Sequence, residues 1–407
     1  MISKKTTGPT TFTGPKTEWL HIMIQSAVEP SGFQTDKVVL LSAGHFSHDV
    51  FSSFLVTLLP LLIAKFQLSM LLAGSLVVIF RFPSLLDPLI GVICDRRNIG
   101  RLAVWAPAAT AAGMSLLGLA PDYGLLCLLV VGCGVSAAIY HVFGPVMIAR
   151  FAGVDLGKGM SFWMTGGELA RTAGPLFAVW TVTRWGLEGS YRVMLFGIAA
   201  SLVLWLQLRG TSSRTAAQHR IDYTAAWHIL RPIMIPVTGI VLFHQFMSAT
   251  LFSFLPTFVV SSGKSLWMGG GSLALLEGCG TLGTLIGGIA SDRLGRRRVL
   301  LLALPVSCAA MVLAIYAPGG LFLPAIIVLG LTLFAANPVL LAVVQDHAAR
   351  CRGTANGLFM CINAVAIAVV TFAVGALADW IGLKMAFTLS ALLGLCGIPI
   401  IFKLSES

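Results

Sequence analysis

The sequence predicts an all-α membrane protein, with twelve transmembrane helices in two six-helix bundles. Three observations predict it. The chain of 407 residues is 57% hydrophobic and only 11% charged, where a soluble domain carries roughly 25% charged residues. From Lys37 onward it holds twelve apolar stretches of roughly 20 residues or more, the length that crosses about 30 Å of hydrocarbon. Its first half is also echoed in the second, about 195 residues later. Hydrocarbon offers no water to satisfy backbone N–H and C=O groups, so each stretch is expected as a helix.

Residues 1–36 read as a cytoplasmic N-terminal tail, polar and rich in Thr, Gly and Pro, without the charged start, apolar core and cleavage site of a signal peptide. Within it, Trp19 to Val28 is weakly amphipathic and suits either a disordered tail or a surface-lying segment. The first bundle is expected at 37–209. Its spans lie near Val38–Ile63, Leu71–Cys94, Leu102–Ala120, Tyr123–Ala149, Met160–Thr183 and Tyr191–Leu208. A cytoplasmic linker at 210–232 separates it from the second bundle at 233–403. The spans there lie near Ile233–Val260, Trp267–Ser291, Val299–Ala317, Leu321–Val344, Thr354–Ala378 and Met385–Phe402, followed by a short tail at 404–407.

Charge sets the expected orientation. One set of connections holds Arg96, Arg97 and Arg101, then Arg150 and Lys158, then Arg209, Arg214, Arg220 and Arg231, then Arg293 and Arg296 to Arg298, then Arg350 and Arg352. The opposite set holds only Lys65, Arg184, Arg192, Lys264 and Lys384. Basic loops stay in the cytoplasm, so both termini are expected inside. The formal net charge of +11 comes from these short loops and does not point to nucleic acid. The eight cysteines are scattered, mostly in apolar segments, without CxxC or metal-ligand spacing, and read as buried small hydrophobes. No HExxH, P-loop, nucleotide-binding domain or believable Ser/His/Asp arrangement occurs, which argues against a protease or an ATP-driven pump. No enzyme activity and no cofactor are expected.

The stretch Leu41–Pro60, LSAGHFSHDVFSSFLVTLLP, stands out because an apolar helix here carries His45, His48 and Asp49. Spacings of three and four put them on one face. An Asp at a bilayer centre costs about 2.5–3.5 kcal/mol on insertion scales, so this face is expected toward protein or water. Arg81, Asp87, His141, Glu168 and Arg171 fall at similar depths on three other helices. At 1.5 Å per residue they form one layer roughly 10–20 Å from the cytoplasmic boundary. Glu168 and Arg171, at i and i+3, can pair within their helix. Arg81 and Arg171 suit an anionic or polar solute through bidentate guanidinium contacts, and equally suit charge balance against the acids. Asp49 beside His45 and His48 has the groups a proton-coupling site needs, and the same groups suit a buried cluster that stiffens the helix. Glu277, flanked by glycines, is the clear intramembrane acid of the second half.

The internal echo has three parts. SSFLVTLLP ending at Pro60 matches ATLFSFLP ending at Pro256, which sets His244 opposite His48. GVICDRR at Gly91 matches GIASDRLGRRR at Gly288, and GPVMIARF at Gly144 matches NPVLLAVV at Asn337. Repeated halves with a site near midplane are a recurring plan among secondary transporters.

At these residues the chain resembles the major facilitator superfamily. That family joins helices two and three by G-x-x-x-D-R-x-G-R-[RK], with a weaker copy between helices eight and nine. Here the second copy is the cleaner one, with Gly288, Asp292, Arg293 and Arg296 in place. In the first, Gly91, Asp95 and Arg96 match, while the loop runs two residues longer before Gly100 and Arg101. The resemblance implies two bundles rocking about a central site. It also implies a gating latch in which Asp95 meets the helix start near Thr354, and Asp292 the start near Gly159, where a carboxylate is favoured.

Within the superfamily the N-terminal half is similar to the fosmidomycin resistance protein family of bacterial efflux pumps. The residues that carry this are HFSHD at His45, SLLDPLIG at Ser84, Tyr140–His141 and GGELARTAGPL at Gly166. The chain departs from that family in having Val142 and Phe143 after His141, where Pro-Glu is usual, and Asp87 where an amide is usual. The run Ala170 to Pro175 matches the antiporter signature in part, with Ala178 and Val179 replacing its trailing glycines. The resemblance implies proton-driven export of a small drug-like or anionic compound from a bacterial inner membrane by a chain working alone. On their own chemistry, Asp49, His45, His48 and Glu168 are the candidates for coupling protons. Arg81, Asp87, His141, Arg171, His244 and Glu277 would then contact solute. A proton-coupled symporter for an organic anion, or a non-transporting membrane receptor, remains open on the same residues.

Overall fold

The computed structural model describes residues 32–87, 89–90, 93, 100–209, 223–316, 319–347 and 352–404. Among these residues there is no strand. The first expected span is two helices, α1 (Thr35–Ser52) and α2 (Phe54–Phe66), parted by Ser53 alone. The interruption has a local cause. Ser52 Oγ donates to the His48 carbonyl at 3.3 Å and Ser53 Oγ to that of Asp49 at 3.2 Å. Such back-bonding competes with the helix ladder and bends it.

Helix α3 (Met70–Arg81) is continued by a 3₁₀ turn, Phe82–Leu86. Pro83 lies in the first positions of that turn; it lacks an N–H and cannot extend the α ladder. The short helix α4 (Gly100–Ala103) and helix α5 (Ala106–Ser115) follow, then a 3₁₀ turn at Leu117–Leu119. Helices α6 (Tyr123–Ala152), α7 (Leu156–Trp185) and α8 (Met194–Leu208) complete the first half. Asp122 caps α6 by accepting from the Leu125 N–H at 2.9 Å, satisfying one of the four donors a helix start leaves free.

The second half comprises α9 (Tyr223–Ser261), α10 (Leu266–Leu294), α11 (Arg296–Tyr316), α12 (Gly319–His347), α13 (Arg352–Ile381), α14 (Leu383–Gly394) and α15 (Ile398–Ile401). Among the described residues, nine helical stretches are long and apolar enough to cross a membrane. Three expected spans differ from that pattern. The one at Leu71 is described as a shorter apolar helix, Met70–Leu86. The one at Leu102 is broken into α4, α5 and a 3₁₀ turn. Helix α7 is 30 residues long but carries Lys158, Glu168, Arg171 and Arg184.

Glycines let the helices close on one another where lipid supplies no hydrophobic drive. On α7, Gly166 lies against the Ser42 backbone of α1, and Gly174 against Ser53, where an added Cβ would stand 2.7 Å from the serine's own. On α10, Gly287 lies against Ala335 of α12, a Cβ there meeting the Ala335 Cα at 2.6 Å. The two halves meet through α3 with α13, α7 with α10, and α2 with α9. At the Met70 end of α3, the Asp379 carboxylate of α13 accepts from the Met70 N–H at 2.6 Å and the Leu71 N–H at 2.9 Å.

Of the expected gating residues, Gly91, Asp95 and Arg96 lie outside the described residues, as does the Arg101 side chain. So do most of the tail at 1–36 and linker residues 210–222. In the second copy, Asp292 pairs with Arg296 four residues on, and Arg296 Nε also stands 3.3 Å from Asp346 of α12. The Asp292 carboxylate is therefore engaged inside its own half. Arg293 borders a small surface hollow with Ile286 and Ile289, and Gly288 has open space beside it.

Candidate functional site

Two polar clusters face one cavity. The first is built on α1. His45 is 4% exposed and His48 fully buried, so the face read from their spacing does turn inward. The Asp49 carboxylate sits among three imidazoles. Its Oδ1 is 2.8 Å from His48 Nδ1 and 3.4 Å from His141 Nε2, and its Oδ2 is 3.3 Å from His45 Nε2. His45 and His141 face each other through their Nε2 atoms at 3.3 Å. His45 stacks on Trp163 with ring centres 3.9 Å apart, and His48 on Tyr140 at 5.0 Å. Gly167 makes room for this, since a Cβ there would stand 2.6 Å from His45 Cε1.

His45, Asp49 and His141 place ligand-type atoms within 4.8 Å of one another. His45 faces one carboxylate oxygen and His141 the other, at distances that shared protons bridge.

The second cluster joins the halves. Arg171 pairs with Glu168 on its own helix, as the i,i+3 spacing allows, and its Nε lies 3.4 Å from Glu277 Oε2 across the interface. Thr281 Oγ1 donates to Glu168 Oε2 at 2.8 Å. Glu168, a candidate for proton coupling, belongs to this cluster through the expected pair with Arg171. Glu277 is 3% exposed and has Arg171 as its ion-pair partner. Removing the cation of a fully buried pair costs about 3–5 kcal/mol. The Arg171 side chain is 40% exposed, so water offsets part of this. Arg171→Ala is expected to lose about 2 kcal/mol, read as a lower thermal unfolding midpoint in detergent. The double variant with Glu277→Gln should recover most of that loss.

Between the clusters lies a cavity of about 420 Å³, lined by Asp49, Arg81, Asp87, His141 and Arg171 from the first half and by Phe252, Glu277 and Met360 from the second. Arg81 lies over the Phe252 ring at 5.0 Å. Its buried Nε and the buried Asp87 Oδ1 have no hydrogen-bond partner among the described residues. A buried polar atom left unpaired is costly.

His244 is a correction. It is 1% exposed and its Nε2 donates to the Leu333 carbonyl of α12 at 3.0 Å. It is not among the cavity-lining residues and ties α9 to α12. Sequence reasoning also passed over Thr110, Ser136 and Thr281. They are hydroxyls inside apolar helices with no charge to mark them. Trp163 likewise carries no charge to mark it, although Gly166 and Gly167 beside it signal close packing.

The model for the Major Facilitator Superfamily matches residues 41–371 and 278–407. The chain belongs to the major facilitator superfamily. This superfamily member is 24% identical over 377 residues to the fosmidomycin resistance protein of Escherichia coli, covering 89% of this chain and 91% of that one. It is 22% identical over 379 residues to the uncharacterized MFS-type transporter YfnC of Bacillus subtilis, again covering 89% and 91%. Among solved structures, it resembles a bacterial homolog of the human lysosomal transporter Spinster, in an inward-facing and unoccupied conformation. The TM-score is 0.77 at 16% identity, over 92% of this chain and 97% of that one. A variant of the nucleoside transporter NupG gives 0.74 at 15% identity, over 90% and 99%. The protein is thus a multi-pass membrane protein and a secondary transporter of this superfamily, not an enzyme.

Proposed function

We propose that the protein exchanges protons for a small polar or anionic solute by alternating access, as an exporter in a bacterial inner membrane. The carrying observation is the cavity, which both halves line and which sets the Asp49 imidazole cluster opposite Arg81, Arg171 and Glu277. Its volume of about 420 Å³ falls within the range of small-molecule sites, about 300–1,000 Å³. Proton and solute would bind to facing walls of one space, which is what coupling requires. Twelve spans in two bundles of six, with both termini inside, complete the reading. The Met70 end, where Asp379 joins the halves, then faces outward. Export in preference to uptake rests on the similarity to the fosmidomycin resistance protein.

The test is reconstitution into vesicles with a pH-sensitive dye inside, adding fosmidomycin and a panel of small anions and drugs. Proton movement opposite to solute is the expected result. Movement together would establish symport in place of export, and binding without flux would establish a receptor.

A further inference from the structure

The directions of the hydrogen bonds around His48 can be worked out from one end. The Ala106 carbonyl only accepts, and Ser136 Oγ donates to it at 2.9 Å. The single Ser136 proton is thereby used, so Ser136 Oγ accepts from Thr110 Oγ1, also at 2.9 Å. The Thr110 proton is used in turn, so Thr110 Oγ1 accepts from His48 Nε2 at 3.0 Å. Nε2 of His48 therefore carries a hydrogen. On the other side of the ring, Nδ1 lies 2.8 Å from Asp49 Oδ1. A bare ring nitrogen and a bare carboxylate oxygen would present lone pairs to each other at that distance, so a proton sits between them.

The other two imidazoles have the opposite bias. His45 Nδ1 lies 2.8 Å from the Trp163 carbonyl and His141 Nδ1 2.9 Å from that of Ala137. Both Nδ1 atoms must donate, which leaves both Nε2 atoms aimed at each other and at Asp49. Holding these three acceptors together takes one further proton. Its edge of the cluster meets the cavity, because the His141 side chain is 41% exposed, against 6% for His45 and none for His48.

Resting on the transport reading above, we propose that Thr110 is a positioning residue for proton coupling. Its hydroxyl, aligned by Ser136 and the Ala106 carbonyl, keeps one proton fixed between His48 and Asp49. The proton exchanged with the cavity is then the second one, at the His45–His141 edge. The hydroxyl chain is also a dead end: reversing it would require a carbonyl to donate. Protons enter and leave by the cavity side alone, as a carrier without leak requires.

The charged groups facing this cluster come from several elements. Asp87 acts on His141, Arg81 after α3 and Arg171 on α7 act on Asp49, and Tyr140 on α6 stacks on His48. None of them contacts the Thr110 hydroxyl in the bonds described, so a variant at Thr110 leaves this field in place.

Thr110→Val removes the hydroxyl at nearly constant shape. His48 is then free to carry its hydrogen on Nδ1 and meet an ionised Asp49 without the extra proton. The cluster becomes one negative charge richer, and the pH profile of solute-driven proton movement should move to the alkaline side by about one unit or more. Thr110→Ser, which restores the acceptor, should return the wild-type profile. A Thr110→Val protein that transports with the wild-type profile overturns the proposal. A second measurement does not depend on that variant. Solid-state NMR of protein labelled with nitrogen-15 in histidine, with His48 assigned by its own substitution, should show a proton on His48 Nε2 across the working pH range. A bare Nε2 overturns the proposal. A protonated Nε2 in a protein that moves no solute keeps the hydrogen-bond assignment and removes the transport reading, so the two failures are distinguishable.

Discussion

Asp49→Asn is expected to abolish solute-driven proton movement while the protein remains folded. The amide has the shape of the carboxyl group and can still bond to His48 across the 2.8 Å contact. What it lacks is the negative charge that faces the His45 and His141 Nε2 atoms, 3.3 and 3.4 Å away. Losing a buried charge partner is worth about 3 kcal/mol, which is a factor of more than about 100 in an equilibrium constant. Coupled flux should fall by at least about that factor, read by the internal pH dye in vesicles. Size-exclusion behaviour and solute binding should survive, because Arg81 and the Arg171–Glu277 pair line the far wall of the cavity and do not touch Asp49 in the contacts described. Wild-type coupled flux in Asp49→Asn would remove Asp49 from the coupling role. Loss of the folded protein, by contrast, would favour the stiffening role that the same residues suit.

The parts of this molecule legible in the sequence are those that lipid dictates. An apolar stretch in hydrocarbon has helix as its solution, so Val38–Ile63 and Tyr123–Ala149 lie within a residue or a turn of the observed helices. The charge-bearing face of α1 was equally legible, because a period of 3.6 and the cost of a buried Asp leave it one direction to point. Local pairs followed too, as Glu168 and Arg171 show. Pairings between helices were a different matter. Nothing in the spacing of Glu277 says that it meets Arg171, and the internal repeat misplaced His244. The repeat superposes backbones, but His48 has a carboxylate and a threonine beside it, whereas His244, among the described residues, bonds to the Leu333 carbonyl. The break after Arg81 was written in Phe82–Pro83 but is hidden in a hydropathy reading, since proline and phenylalanine both pass as apolar. Hydroxyls such as Thr110 and Ser136 leave the least trace, because their role depends on the direction of a proton.

Asp379 raises the second large effect. Its two carboxylate oxygens accept from the Met70 and Leu71 N–H groups, at the positive end of a helix in the opposite half. A helix start leaves four such donors unpaired, and Ser69 Oγ takes only the one from Leu72, at 3.2 Å. Hydrogen bonds to a charged group contribute about 1.5–3 kcal/mol each where water is excluded, and the helix dipole adds about 0.3–1 kcal/mol. The site is solvent-facing, so a total of about 2 kcal/mol is the reasonable figure, equal to about a 30-fold bias toward contact between the halves at this end. Asp379→Ala should release that bias. Nitroxide labels on Ala64 of α2 and Trp380 of α13, both exposed, should then report a second, longer distance population that is minor in the parent. Asp379→Asn, which keeps one acceptor and loses the charge, should fall between them. Alternating access requires this contact to break and re-form in every cycle, so a bond of this size is strong enough to choose a state and weak enough to be reversed by a proton and a solute binding together. An unchanged distance distribution in Asp379→Ala would mean that the glycine contacts nearby, Gly375 on the Met70 backbone and Gly74 on Thr371, hold this end without it.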